Sequence, residues 1–463
     1  MQIVPCSLAR STEEPTMEEA VRVGAAEPVG MEADRGLLAR CEHALELLLT
    51  HRGNPSAQVE RILAEDHRCV FAHCLRAALI VCADRVEDRP ALAASVAAIE
   101  ASCPDMDDPA RRHAAAAGAW LDGDPLVAAE RYGAIVIDRP CDVLALVVIH
   151  SLDFRLGRPR MMRDRIKRML PAWESSMPGY PSVLAMYAFA LEENGQYRRA
   201  ERMAHRALGL DPRHPGAIHV VAHVMEMQGR AREGLAFLTA TESASIEGTG
   251  FSVHLAWHRA LFHLELNNPG AALVTYDARI ANADALSMPV LADASALLWR
   301  LQLRNVEVGD RWRLLADGWE MQTLASARPF YVVHAMMAFA AAGRRAATMR
   351  VLEVLSHTDP IDTWSSLPEE ALAPPFCEAL LAFTREDYAA CVDWLTCVRH
   401  IAHRCGGSLA QCDLIHLTFT EAALRARKSR LARALVAERA AKKPASRLNW
   451  LLRQRLEGMP AIA

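Results

Sequence analysis

The sequence predicts an all-α chain, a solenoid of antiparallel helix pairs stacked into a superhelix. Three observations carry this. From Gly36 onward apolar residues recur at helical spacing in stretches of about 10 to 16 residues, each punctuated by Gly, Pro or Asn-Pro, with almost no strand-type alternation. At 463 residues the chain exceeds what one compact core accommodates, so several domains or an elongated repeat are expected. Turn glycines then recur at a fixed interval, Gly229 following Gly195 by 34 residues with Gly157 before them, and such a period marks a repeat architecture.

Taken in order, residues 1–35 mix Pro, Glu, Thr and Gly without periodicity and read as a disordered leader. Residues 36–460 read as a single helical-repeat domain. Stretches beginning at Cys41, Ala72 and Arg112 are rich in Ala and Leu, good helix formers, and supply its early helices. Between residues 180 and 212 the spacing Gly195, Tyr197, Ala200, Ala207, Pro212 is that of a tetratricopeptide repeat: small residues let two helices approach, Gly turns the chain, and Pro stops the second helix. Looser units follow at residues 267–272, where Asn268 stands in for the turn Gly, and at Gly343. Stretches around Asp293 and His334 read as two further first helices.

Composition narrows the function classes. The net charge of −4 favours no polyanionic partner, and only four of the 52 basic residues are lysines: Lys167, Lys428, Lys442 and Lys443. Eleven basic residues against one acidic, Glu438, lie between residues 425 and 455, but without interleaved aromatics, so a solvated helical face is expected there rather than a nucleic-acid surface. The 12 cysteines are scattered with no C-x-x-C pair, which fits reduced thiols and a cytoplasmic protein. No signal peptide is recognisable, and the longest apolar run, residues 143–149, falls far short of the ~20 residues that span a bilayer.

The chemistry-bearing residues concentrate in residues 216–266. His219, His223 and Glu226 fall on one face of a helix, and His254 and His258 begin a stripe on another, because positions three, four and seven apart share a side. Both stripes lie on first helices, which line the inner face of a stack about 8–10 Å apart, so they should meet across one groove. Glu192, Glu226 and Glu265 each stand three places before their turn residue, which makes the glutamate a candidate repeat feature.

These stretches resemble the tetratricopeptide repeat protein 38 family. The likeness rests on the segments containing Tyr187 to Glu201, the H-x-x-x-H-x-x-E-M-x-G stretch from His219, the H-x-x-W-H-x-A-L stretch from His254, Asp293 to Leu301, and Gly406 to Gln411. It covers roughly residues 36–455. The chain departs from the family pattern at Leu409, where His is usual, at Cys412 before Asp413, and at Ala190, where Gly is usual. The resemblance implies an all-helical repeat fold and supplies no settled activity.

Two functions are expected from the residues. In the first, a concave groove lined by Glu192, His219, His223, Glu226, His254, Trp257, His258, Asp293 and His334 binds a partner protein segment or a small ligand. In the second, His219, His223, His254 and His258 hold a transition metal (zinc, iron or manganese) and the protein is a metal-dependent enzyme, with Glu226 or Glu192 as ligand or base. The H-E-x-x-H hydrolase signature is absent, since Val220 stands at the base position. There is no G-x-S-x-G elbow, Ser408 reads as a helix N-cap, and the phosphate-binding glycine motifs are missing.

Overall fold

The computed structural model describes residues 31–242, 250–282, 287–324, 328–355 and 373–458. The chain is all-α. Its N-terminal half comprises α1 (Met31–Thr50), α2 (Pro55–Glu65), α3 (Val70–Ala83), α4 (Arg89–Ser102), α5 (Pro109–Leu121), α6 (Pro125–Asp138), α7 (Val143–Arg155) and α8 (Pro159–Met169). The middle follows with α9 (Tyr180–Glu192), α10 (Tyr197–Leu210), α11 (Pro215–Met227), α12 (Ala231–Ala240), α13 (Gly250–Glu265), α14 (Pro269–Thr275), α15 (Met288–Gln302) and α16 (Arg311–Glu320). The last part is α17 (Pro329–Ala341), α18 (Arg345–Leu355), α19 (Ala373–Thr384), α20 (Tyr388–Val398), α21 (Leu409–Arg425), α22 (Ser429–Lys442) and α23 (Arg447–Glu457). Residues 1–30 of the expected leader lie outside the described residues, and its last five residues open α1 instead, Met, Glu and Ala carrying the helix past Gly36.

Short polar-proline pairs start many of these helices. Asn54, Asp108, Asp124, His214 and Asn268 each accept a hydrogen bond from an orphan N–H of the first turn, with Pro next in sequence at a position that needs no N–H. These prolines therefore begin helices. Gly157, Gly195, Gly229 and Gly343 take left-handed turns between paired helices, as their spacing predicts. In the looser unit the left-handed residue is Asn267, while Asn268 caps α14; the expected turn residue is displaced by one. Glu265 is thus two places before its turn, out of register with Glu192 and Glu226.

Helices pack as neighbours in sequence, and α9, α11, α13, α15, α17 and α19 also pack in series as an inner layer. The layer is then closed from within. α21 lies against both α11 and α15, and three bonds fix it there: Trp299 Nε1 donates to Thr418 Oγ1 at 2.9 Å, Arg300 Nη2 to the Ala410 carbonyl at 2.8 Å, and the Leu409 N–H to Glu193 at 3.2 Å. Ser408 forms a capping box with Gln411 at the start of α21, the cap its sequence predicts. α11 is consequently buried on nearly every side, from Ala217 to Met225, as is α15 from Val290 to Leu301. An open groove at the histidine stripes is not what forms: the chain's own C-terminal helices cover that face.

Two apolar clusters share the interior. Leu255 and Phe262 of α13 belong to the N-terminal one, Val253, Trp257 and Leu261 to the C-terminal one, so α13 is the seam between them.

Closure tightens one turn more than another. A Cβ at Gly229, φ +74°, would come within 2.8 Å of the backbone at Ala445 and Ser446, whereas one at Gly195, φ +71°, meets nothing within 4 Å. Gly195→Ala should cost about 1–2 kcal/mol for the left-handed backbone, and Gly229→Ala a further ~1–3 kcal/mol from overpacking. Equal urea midpoints for the two variants would contradict the described seating of the C-terminal segment.

Candidate metal centre

The inner helices bring His219 and His223 of α11 against His254 and His258 of α13, and one ring nitrogen from each lies within 4.8 Å of every other. This arrangement could hold a metal ion. Two of the contacts are shorter: His254 Nε2 stands 3.0 Å from His219 Nε2 and 3.3 Å from His258 Nε2. His223 and His258 are fully buried and His219 is 8% exposed, while the His254 side chain is 18% exposed.

Carboxylates stand behind these rings. His254 Nδ1 donates to Asp293 Oδ2 at 2.7 Å, His258 Nδ1 donates to Glu226 Oε2 at 2.9 Å, and His223 Nδ1 lies 3.3 Å from Glu192 Oε2 without hydrogen-bond alignment. An ionised carboxylate only accepts, so His254 and His258 each donate from Nδ1, and when the ring is neutral its Nε2 carries a lone pair. This is the outer layer that fixes tautomer and ring orientation around metal-bound histidines. The recurring glutamate has a use here: Glu192 of α9 reaches toward α11, and Glu226 of α11 reaches α13. Glu265, out of register, instead accepts the Leu448 N–H at 3.1 Å.

The electrostatics permit one positive charge at the centre. Burial, then the neighbouring imidazoles, push His219 and His258 well below the ordinary histidine range, and burial pulls His223 down to about 4. Burial opposes the His254 proton as well, yet Asp293 holds its pKa above the ordinary value. Burial raises Glu192 to about 8.

Other candidates fall elsewhere. His334 stands apart from the four-histidine group; its Nδ1 donates to the Phe330 carbonyl at 2.6 Å, and its Nε2 is buried without a partner. Trp257 is fully buried, stacked on His254 at 5.4 Å with Arg300 over its ring, so it supports the centre from the core and does not clamp a ligand.

Residues that the sequence did not single out complete the surroundings. Lys443 lies 3.4 Å from Glu226 Oε1 and 3.5 Å from Asp413, and Arg439 pairs with Asp413 at 2.7 Å. Both cations are buried, a correction to the expected solvated face at the basic C-terminus: α22 turns them inward toward carboxylates of α11 and α21. A lysine pair in a chain with four lysines was the available signal. Among the described residues no helix is long and apolar enough to cross a membrane. No family model matches the chain.

Two buried histidines outside the four make the fold acid-sensitive. His214, bonded to Ser182 Oγ at 2.8 Å, and His334 are each held by burial to a pKa of about 4. Between pH ~6.5 and ~4 the unfolded chain protonates them and the folded chain does not, so each removes about 1.4 kcal/mol of stability per pH unit as pH falls through that window. His254, with its raised pKa, acts in the opposite sense, adding stability as pH falls through the range just above ~6.5, and so leaves the lower window to the buried neutral histidines. The urea midpoint should drop from pH 7 to pH 5, and His214→Asn should flatten the slope; an unchanged midpoint would refute the neutral burial.

Proposed function

We propose that the protein is a metalloprotein that binds one divalent transition metal ion through His219, His223, His254 and His258. Asp293 and Glu226 orient two of the rings, and Glu192 lies 3.3 Å from a third. The supporting observation is the convergence of the four rings: one nitrogen of each lies within 4.8 Å of every other, with His254 Nε2 standing 3.0 Å from His219 Nε2 and 3.3 Å from His258 Nε2. A single cation among them is within reach of every ring. Zinc suits the spacing, because four nitrogens at ~2.0–2.1 Å in a tetrahedron are separated by about 3.3 Å; iron and manganese are the alternatives. Four imidazoles close a tetrahedral ion, the coordination of a structural centre that ties α11 to α13.

A metal-dependent enzyme is the second reading, favoured by one observation. Both nitrogens of His223 lack hydrogen-bond partners, whereas His219, His254 and His258 are drawn together, so a three-histidine set would leave a fourth position open, on the side where His254 is exposed. A partner segment is disfavoured at this face, since α21 covers it. The resemblance of its motifs also supports a proposed membership of the tetratricopeptide repeat protein 38 family, with tetratricopeptide-like pairs. A cytoplasmic location is supported by the scattered cysteines, which form no C-x-x-C pair.

Protein purified without a histidine tag should carry about one equivalent of transition metal by elemental analysis, and His258→Ala should lose it. Glu226→Gln should weaken affinity about 10–100-fold in chelator competition. Metal-free protein that takes up no zinc in calorimetry would sink both readings. In the cobalt(II) form, visible bands unmoved by azide identify the closed centre, and bands that shift identify the open one.

A further inference from the structure

A second feature lies beyond the histidines, where the inner helices meet the C-terminal unit. The ends of α13 and α15 and the facing sides of α21, α22 and α23 enclose a cleft of about 480 Å³, within the range that takes small molecules. It contains none of the four histidines, although Glu226 and the surrounding Lys443, Asp413 and Arg439 border both. One part of its wall is apolar, built by Leu261, Leu264, Leu417 and Leu452, and the rest is charged.

The charges do not cancel by pairing. Arg439 is paired with Asp413, Lys443 with Glu226 and Asp413, and Arg455 with Glu421 at 2.7 Å. Arg300 and Arg304 also line the cleft, and among the described residues neither has an ion-pair partner. Arg300, 5% exposed, donates only to the carbonyls of Ala296 and Ala410; Arg304 donates only to that of Leu264, at 2.8 Å. A guanidinium carries five N–H donors and does not deprotonate, so each retains unbonded donors, and its charge is met only at longer range, by Asp413, Glu226 and Asp293 for Arg300 and by Glu265 for Arg304. Burial without a direct partner is costly for a charge.

We propose that this cleft binds a small organic anion with an apolar body, its carboxylate or equivalent acidic head held by Arg300 and Arg304 and its hydrocarbon laid against Leu261, Leu264, Leu417 and Leu452. The head gains charge-assisted hydrogen bonds of the fork type that arginine forms with planar anions. The body removes leucine surface from water. A neutral ligand of the same shape forfeits the first gain, and a cation is repelled.

Calorimetric titration of the full chain with decanoate and with decanol tests this. Decanoate should bind at one site per chain, with decanol at least about tenfold weaker, the loss expected for charge-assisted hydrogen bonds. Arg304→Gln, at a partly buried position with one backbone bond to lose, should weaken decanoate about tenfold or more, while Arg433→Gln, on the exposed side of α22, should leave it unchanged. No decanoate binding, equal affinity for decanol, or wild-type affinity in a folded Arg304→Gln variant would each overturn the proposal. If that variant does not fold, the decanoate and decanol comparison on the unchanged protein still decides.

Discussion

An imidazole removed from water needs a partner for each ring nitrogen, and that requirement organises the middle of this molecule. The inner helices place four such rings together, three of them buried. Two rings are satisfied on one side by Asp293 and Glu226, which turns their other nitrogens toward each other. The carboxylates in turn must be answered, since a buried acid without a partner is raised in pKa and loses its charge. Glu226 is answered twice, by His258 and by Lys443.

That second answer explains why the superhelix closes. Lys443 of the C-terminal unit, held with Arg439 by Asp413, crosses to Glu226 of the inner layer, while Arg300 and Trp299 of α15 reach back to α21. An open stack would leave the apolar flanks of α11 and α15 exposed on both sides of the polar stripe. Covering them with α21 removes that surface from water and lowers the dielectric around the histidines, which strengthens every hydrogen bond in the cluster. Burial and polarity are thus coupled here: the helix that dries the site also contributes to its charge balance.

Much of this was legible in the sequence, for a physical reason. Helical spacing is a local property, so the faces of His219, His223 and Glu226 and of His254 and His258 followed from positions alone, as did the turn glycines. The meeting of the two stripes followed from the repeat, because successive first helices are neighbours. Closure did not, since the contacts of α21 with α11 and α15 join residues more than a hundred positions apart and no local pattern encodes them. For the same reason the basic C-terminus read as a solvated face when two of its cations are buried. The register of Glu265 was misjudged by a single residue: Asn267 and Asn268 are chemically equal candidates for a left-handed turn, and the proline after Asn268 makes it a cap.

The location of the polar centre bears on how the two halves of the chain depend on one another. α13 gives Leu255 and Phe262 to one apolar cluster and Val253, Trp257 and Leu261 to the other, while His254 and His258 face α11. Apolar packing is non-directional and tolerates small shifts of one cluster against the other. The bonds from His254 to Asp293 and from His258 to Glu226 are directional, and they tie α13 forward to α15 and back to α11. The register between the halves is therefore set by hydrogen-bonded imidazoles rather than by hydrophobic contact. Trp257, stacked on His254 and capped by Arg300, carries that constraint into the C-terminal core.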